Sequence, residues 1–122
     1  MPSNILNITP VLPSEDIARD VAWYENKLGF KSLHNNKMYA VLQRNNISIH
    51  LQWHANTKAD PLLGGSVIKI MVKNIKPIFM ECVENGSVKA DSINFNTAWN
   101  TNEFGLFDLN NNAIFFVETI RK

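Results

Sequence analysis

The chain has 122 residues, 45% hydrophobic and 19% charged. That suits one compact domain, which buries roughly two thirds of its unfolded surface without disulfide staples. Its 12 basic and 11 acidic residues are spread along the chain and leave a net charge of +1, so no basic block points to nucleic acid. The single cysteine, Cys82, excludes an internal disulfide, and no apolar run approaches the ~20 residues of a membrane span.

The opening MPSNILNITP has neither a basic n-region nor a long apolar core. No secretory leader is expected from it, and a reduced, cytoplasmic protein is the default reading. Ile5–Leu12 reads as a strand, with Pro10 marking an edge or a bulge. Ser14 reads as a helix N-cap, with Glu15 and Asp16 well placed for the helix dipole. Ile17, Val21, Tyr24 and Leu28 follow at helical spacing and form one apolar stripe. Gly29 is the expected stop. Phe30–Leu33 reads as a short strand, and Asn35-Asn36-Lys37 as a turn.

Tyr39–Leu51 (YAVLQRNNISIHL) runs apolar, turns on Asn45-Asn46 and returns apolar. Asn tolerates left-handed backbone angles, so this is a hairpin. His54–Gly65 reads as a linker from its Asn, Pro and Gly content. Ser66–Val72 is a strand. Asn74 caps a second helix whose stripe is Ile75, Ile78, Phe79, Cys82 and Val83, and Gly86 ends it. Val88–Ile93 reads as a short strand and Asn94–Asn102 as a polar loop carrying Phe95 and Trp99. Phe104–Val117, with Asn110-Asn111-Asn112 at its turn, is a second hairpin.

Strand, helix, strand, strand, strand is thus written twice. Ser14 and Asn74 lie 60 positions apart, and repetition at one period is an architectural signal. The expectation is an α+β fold of two βαβββ modules, about 5–53 and about 66–119, within a single domain spanning 1–122. Two such units, within one chain or across a dimer, would curl into a curved mixed sheet with a cavity inside.

That repeated unit resembles the module of the vicinal oxygen chelate superfamily, which includes glyoxalase I, extradiol dioxygenases and the bleomycin resistance proteins. Thr9–Phe30 (TPVLPSEDIARDVAWYENKLGF) looks like the opening of bleomycin resistance proteins, and Tyr39–Arg44 like their first hairpin. Asp60-Pro61-Leu62 is similar to a linker in some members. Trp99 and Glu103-Phe104 resemble a Trp-Gly-x-x-Glu-Phe segment before the last hairpin. The likeness covers nearly the whole chain.

Enzymes of that superfamily hold a divalent metal at four places, on the first and last strand of each module. Here those places offer Thr9 or Pro10, His50, Ser66 or Val67, and Phe115. One imidazole does not make a specific site, which takes three or four protein ligands. No metal and no cofactor are expected, and the reading leans away from an enzyme. Cys82 reads as a buried, inert thiol.

The resemblance instead implies a homodimer whose interface clefts take flat heteroaromatic groups by stacking, with antibiotic resistance by sequestration as the outcome. Trp and Tyr present a π-face with few torsions to freeze. The family's stacking positions match Tyr39 and Trp99. Trp53, Phe30 and His50 would line the same cleft, and Glu103 and Asp60 would meet a cationic group. Each also has a plain alternative: strand packing for Tyr39, the core for Phe30, a hydrogen-bonded strand histidine for His50. Bleomycin is a cation, whereas this chain is near neutral and carries Lys58, Lys69, Lys73, Lys76 and Lys89, so a less charged aromatic guest stays open. Two other functions remain alongside: a metal-dependent glyoxalase- or dioxygenase-type enzyme with atypical ligands, and a non-catalytic interaction dimer.

Overall fold

The computed structural model describes residues 4–62 and 64–120. In chain order the elements are β1 (Val11–Ser14), α1 (Ile17–Leu28), β2 (Lys31–Asn35), β3 (Tyr39–Arg44), β4 (Ile47–Trp53), β5 (Val67–Met71), α2 (Ile75–Glu84), β6 (Thr101–Phe107) and β7 (Ala113–Thr119). They form a four-stranded sheet in the order β1-β4-β3-β2 and a three-stranded sheet in the order β5-β7-β6. β1 and β5 run parallel to the last strand of their modules, and the other pairings are antiparallel. The α+β architecture read from the sequence is therefore present, with one strand fewer in the second module.

The missing strand is the one expected at Val88–Ile93. There the backbone curls on itself, with Ser92 N–H and Ser92 Oγ both donating to Lys89 O, and only Asn94 bridges to Glu103. The first strand also differs, starting at Val11 and not at Ile5. Its parallel partner β4 begins at Ile47 in a register that sets Val11 opposite His50. Residues 5–10 carry no strand assignment. The linker expected at 54–65 carries no regular element among its described residues; Leu63 lies outside them.

The cap of α1 is Asp16, whose side chain accepts from Arg19 N–H. Ser14, expected in that role, is buried instead and donates to Asp20. Asn74 caps α2 as read, accepting from Lys76 N–H. Gly29 closes α1 in the left-handed region, at φ 69°. A β-carbon there would lie 2.7 Å from Arg44 Nη1. That guanidinium is not free to yield, because it donates to Leu28 O at 2.7 Å and grips both Glu81 carboxylate oxygens at 2.6 and 2.9 Å. Gly29→Ala is expected to cost about 1–3 kcal/mol in urea unfolding, from left-handed strain plus displacement of that bridge. An unchanged midpoint would show that the turn relaxes freely.

The helix-facing sides of both sheets share one core. Leu12, Ala40, Leu42, Ile49 and Leu51 pack on Ile17, Val21, Tyr24 and Leu28, and continue into Ile75, Phe79, Phe104, Ile114 and Phe116. Phe104 stacks on Phe116 at 5.2 Å between ring centroids. Alternation along each strand leaves the opposite sheet faces without a helix.

A buried polar clasp also joins the modules. Asp108, in the β6–β7 connection, accepts from Tyr24 Oη at 2.6 Å and Asn112 Nδ2 at 2.8 Å. Its second oxygen accepts the N–H groups of Asn110 and Asn112, both at 2.9 Å. Asn110 Nδ2 reaches back to Asp20 on α1 at 2.6 Å. The Asn-rich turn read as a simple hairpin is thus the anchor of the second module on the first helix. Burial and the neighbouring Asp108 carboxylate push the Tyr24 phenol well above its ordinary pKa.

Candidate functional site

The helix-free face of the first sheet carries Tyr39 and Val41 from β3, His50 and Gln52 from β4, and Val11 from β1, as the pairs Val11↔His50, Val41↔His50 and Tyr39↔Gln52 require. Tyr39 Oη and His50 Nδ1 are hydrogen-bonded at 2.7 Å, with the donor set by the imidazole tautomer. Their rings meet edge to face at 5.3 Å. Two of the residues read from the sequence as cleft-lining are therefore joined.

The helix-free face of the second sheet carries Glu103, Gly105 and Phe107 from β6, Phe115 and Val117 from β7, and Val67, Lys69 and Met71 from β5. At its end the 94–100 loop is a built turn. Asn96 and Asn100 take positive φ angles of 52° and 64°. Thr97 Oγ1 accepts Thr101 N–H at 3.0 Å. The loop holds Trp99 so that its indole Nε1 donates to Glu103 Oε2 at 3.1 Å, while the residue stays 62% exposed. Thr101 Oγ1 donates to the same oxygen at 2.7 Å. These two hydrogen bonds, the Thr101 one foremost, hold the Glu103 carboxyl below its usual range, with the Lys69 charge adding to them.

Sequence reasoning missed Phe115 as a ring on the open sheet face, having weighed it only as a failed metal ligand. A β-carbon on Gly105 would lie 2.6 Å from Phe115 Cε1, so the ring lies flat over the glycine. A glycine in mid-strand opposite an aromatic was the available signal.

The remaining sequence candidates lie elsewhere. Phe30 is sealed in the core at 1% exposure, edge-on to Tyr24. Trp53 points to the helix side of β4, where its Nε1 donates to Glu15 O at 3.1 Å. Asp60 fastens the linker, pairing with His54 Nδ1 at 2.7 Å and accepting Ala55 N–H at 2.8 Å. Cys82 is buried on α2, and burial pushes its thiol up to about 11, which leaves almost no thiolate at neutral pH.

The strands that would carry metal ligands set Val11 beside His50 and Lys69 beside Phe115. Among the described residues no three His, Cys, Asp or Glu side chains converge. No described helix is long and apolar enough to cross a membrane.

Besides Asp60, held low by the Ala55 N–H and His54, two depressed carboxyls give the fold a pH dependence. Glu81 is held down chiefly by its hydrogen bonds to Arg44, and Glu103 by Thr101 and Trp99. Both bind a proton less readily folded than unfolded, so their stabilisation is complete above the ordinary value of 4.5 and is lost as pH falls through the depressed values. Melting temperatures are expected to hold from neutral pH down to roughly pH 5 and to drop below that. A melting temperature that climbs on acidification would contradict this.

Seven strands and two helices in this order, each helix covering one face of its sheet, make the fold seen in solved glyoxalase/bleomycin resistance proteins. A solved bleomycin resistance determinant carried on a transposon superposes with a TM-score of 0.79 at 20% identity, over 94% of this chain and 98% of its own. A bleomycin-binding protein in complex with bleomycin gives 0.78 at 21% identity, over 94% and 99%. In sequence the chain is 27% identical to a bleomycin resistance protein of Geobacillus stearothermophilus, over 96% of this chain and 99% of that protein. No family model matches.

Proposed function

We propose that the chain is a small-molecule binding protein of the bleomycin resistance type, which sequesters a flat aromatic drug or metabolite without transforming it. The observation that carries this reading is Trp99. Its indole is fixed by Glu103 and a hydrogen-bonded Asn/Thr loop, yet stays exposed beside an open sheet face. Ordering a Trp on the surface costs conformational freedom and exposes apolar area, which a stacking partner would offset. Tyr39 and His50 offer a second rigid aromatic pair on the other open face. Resistance proteins similar in sequence over nearly the whole chain, and a structural neighbour solved with bleomycin bound, favour a drug-sized guest.

A second copy of the chain completes the cleft in this reading. Val11, Val67, Met71 and Phe107 lie exposed on the helix-free faces, and contiguous apolar surface of this kind marks an interface or a ligand groove. A homodimer laying one copy's Tyr39 face against the other's Trp99 face would cover it.

The test is to add metal-free and copper-loaded bleomycin while following Trp emission, then to assay whether the protein protects plasmid DNA from bleomycin cleavage. Saturable quenching with protection is the expected result. Neither quenching nor protection would remove the drug and leave only the scaffold.

A further inference from the structure

Lys69 sits in the middle of β5 with its side chain on the helix-free face, directly beside Phe115. Among the described residues its ammonium makes no ion pair and no hydrogen bond, unlike Arg19 and Arg44, which are both engaged by carboxylates, although its charge helps to hold Glu103 ionised. The nearby Glu103 is already occupied by the Thr101 hydroxyl and the Trp99 indole. Lys69 also borders a hollow of about 610 Å3 at the free edge of β5, closed by residues 7–10 and 46–49. That volume falls within the range of small-molecule sites. Among its lining groups, which include Thr9, Ser48, Ile49 and Met71, Lys69 alone is ionisable. On the neighbouring strand its register partner Phe115, outside the lining of that hollow, lays its ring flat over Gly105 and offers a π-face.

A free ammonium next to a flat aromatic surface is a two-point receptor. The ring takes a planar group, and the ammonium takes an anionic oxygen attached to it. We propose that Lys69 is the specificity-determining residue of the ligand site, and that the ligand is an aromatic anion: a planar ring system bearing a carboxylate, sulfonate or phosphate. This rests on the small-molecule reading above and departs from the cationic drug on the guest's charge.

Two dyes with one ring frame separate the terms. 1-Anilinonaphthalene-8-sulfonate carries the anion; N-phenyl-1-naphthylamine lacks it. Wild-type protein is expected to bind the sulfonate at least about tenfold more tightly at low salt, with the gap closing as salt rises. Lys69→Met should bring the two affinities together by weakening the sulfonate alone, and Lys69→Arg should restore most of the preference. Equal wild-type affinities, or an unchanged preference in Lys69→Met, would overturn the role of Lys69 while leaving the binding reading in place. If neither dye binds and bleomycin leaves Trp emission unchanged, both proposals fall together.

Discussion

Asp108→Ala is expected to lower the unfolding free energy by about 3–5 kcal/mol, because four buried donors lose their shared acceptor. The carboxylate is 5% exposed and satisfies four donors: the Tyr24 hydroxyl, the Asn112 amide and the N–H groups of Asn110 and Asn112. Truncation leaves all four inside the protein, where each unsatisfied group costs roughly 1–3 kcal/mol, less whatever water recovers. It also loosens the turn whose Asn110 holds Asp20 on α1. Tyr24→Phe removes one of these bonds and should cost less, about 1–2 kcal/mol. Urea unfolding of the three proteins side by side is the measurement. A loss below about 1 kcal/mol for Asp108→Ala would mean that the modules are held by the apolar core alone.

Trp99→Ala is expected to weaken ligand binding at least tenfold, about 1.4 kcal/mol or more, while changing stability by less than about 0.5 kcal/mol. The split follows from where the indole sits. It is mostly exposed, and among the described residues its indole N–H bonds to Glu103, so folding gains little from it and a stacked guest gains a great deal. Phe30→Ala supplies the contrast. That ring is sealed in the core, and its loss should cost about 3–5 kcal/mol of stability. Calorimetric titration with metal-free bleomycin, paired with urea unfolding, reads both quantities. Equal binding by wild type and Trp99→Ala would place the guest elsewhere.

Much of the fold was legible because local signals agreed with one another. The α1 stripe Ile17, Val21, Tyr24 and Leu28 is buried as its spacing requires. Asn45 and Asn111 take the positive φ angles that their turns ask for. Errors arose where a local signal met a longer-range competitor. Ser14 has the chemistry of a cap, but Asp20 claims its hydroxyl, and Asp16 takes the capping position two residues on. Val88–Ile93 has strand composition, yet a turn consumes its backbone. In β4, parity sets Trp53 with Ile49 and Leu51 on the core side, away from His50. That alternation was readable and was outweighed by the pull of an aromatic near the hairpin's end. The clasp around Asp108 was not readable, because its partners lie 84 and 90 residues apart along the chain.

The account stands on capture by aromatic faces without a coordinated metal. Its most direct test is isothermal titration of the chelator-treated protein with two planar aromatics that do not themselves chelate metals, 1-anilinonaphthalene-8-sulfonate and N-phenyl-1-naphthylamine. Saturable heats for at least one of them, unaltered when zinc, nickel, manganese or iron is added back, are the predicted result. Binding that appears only after one of those metals is restored would contradict it.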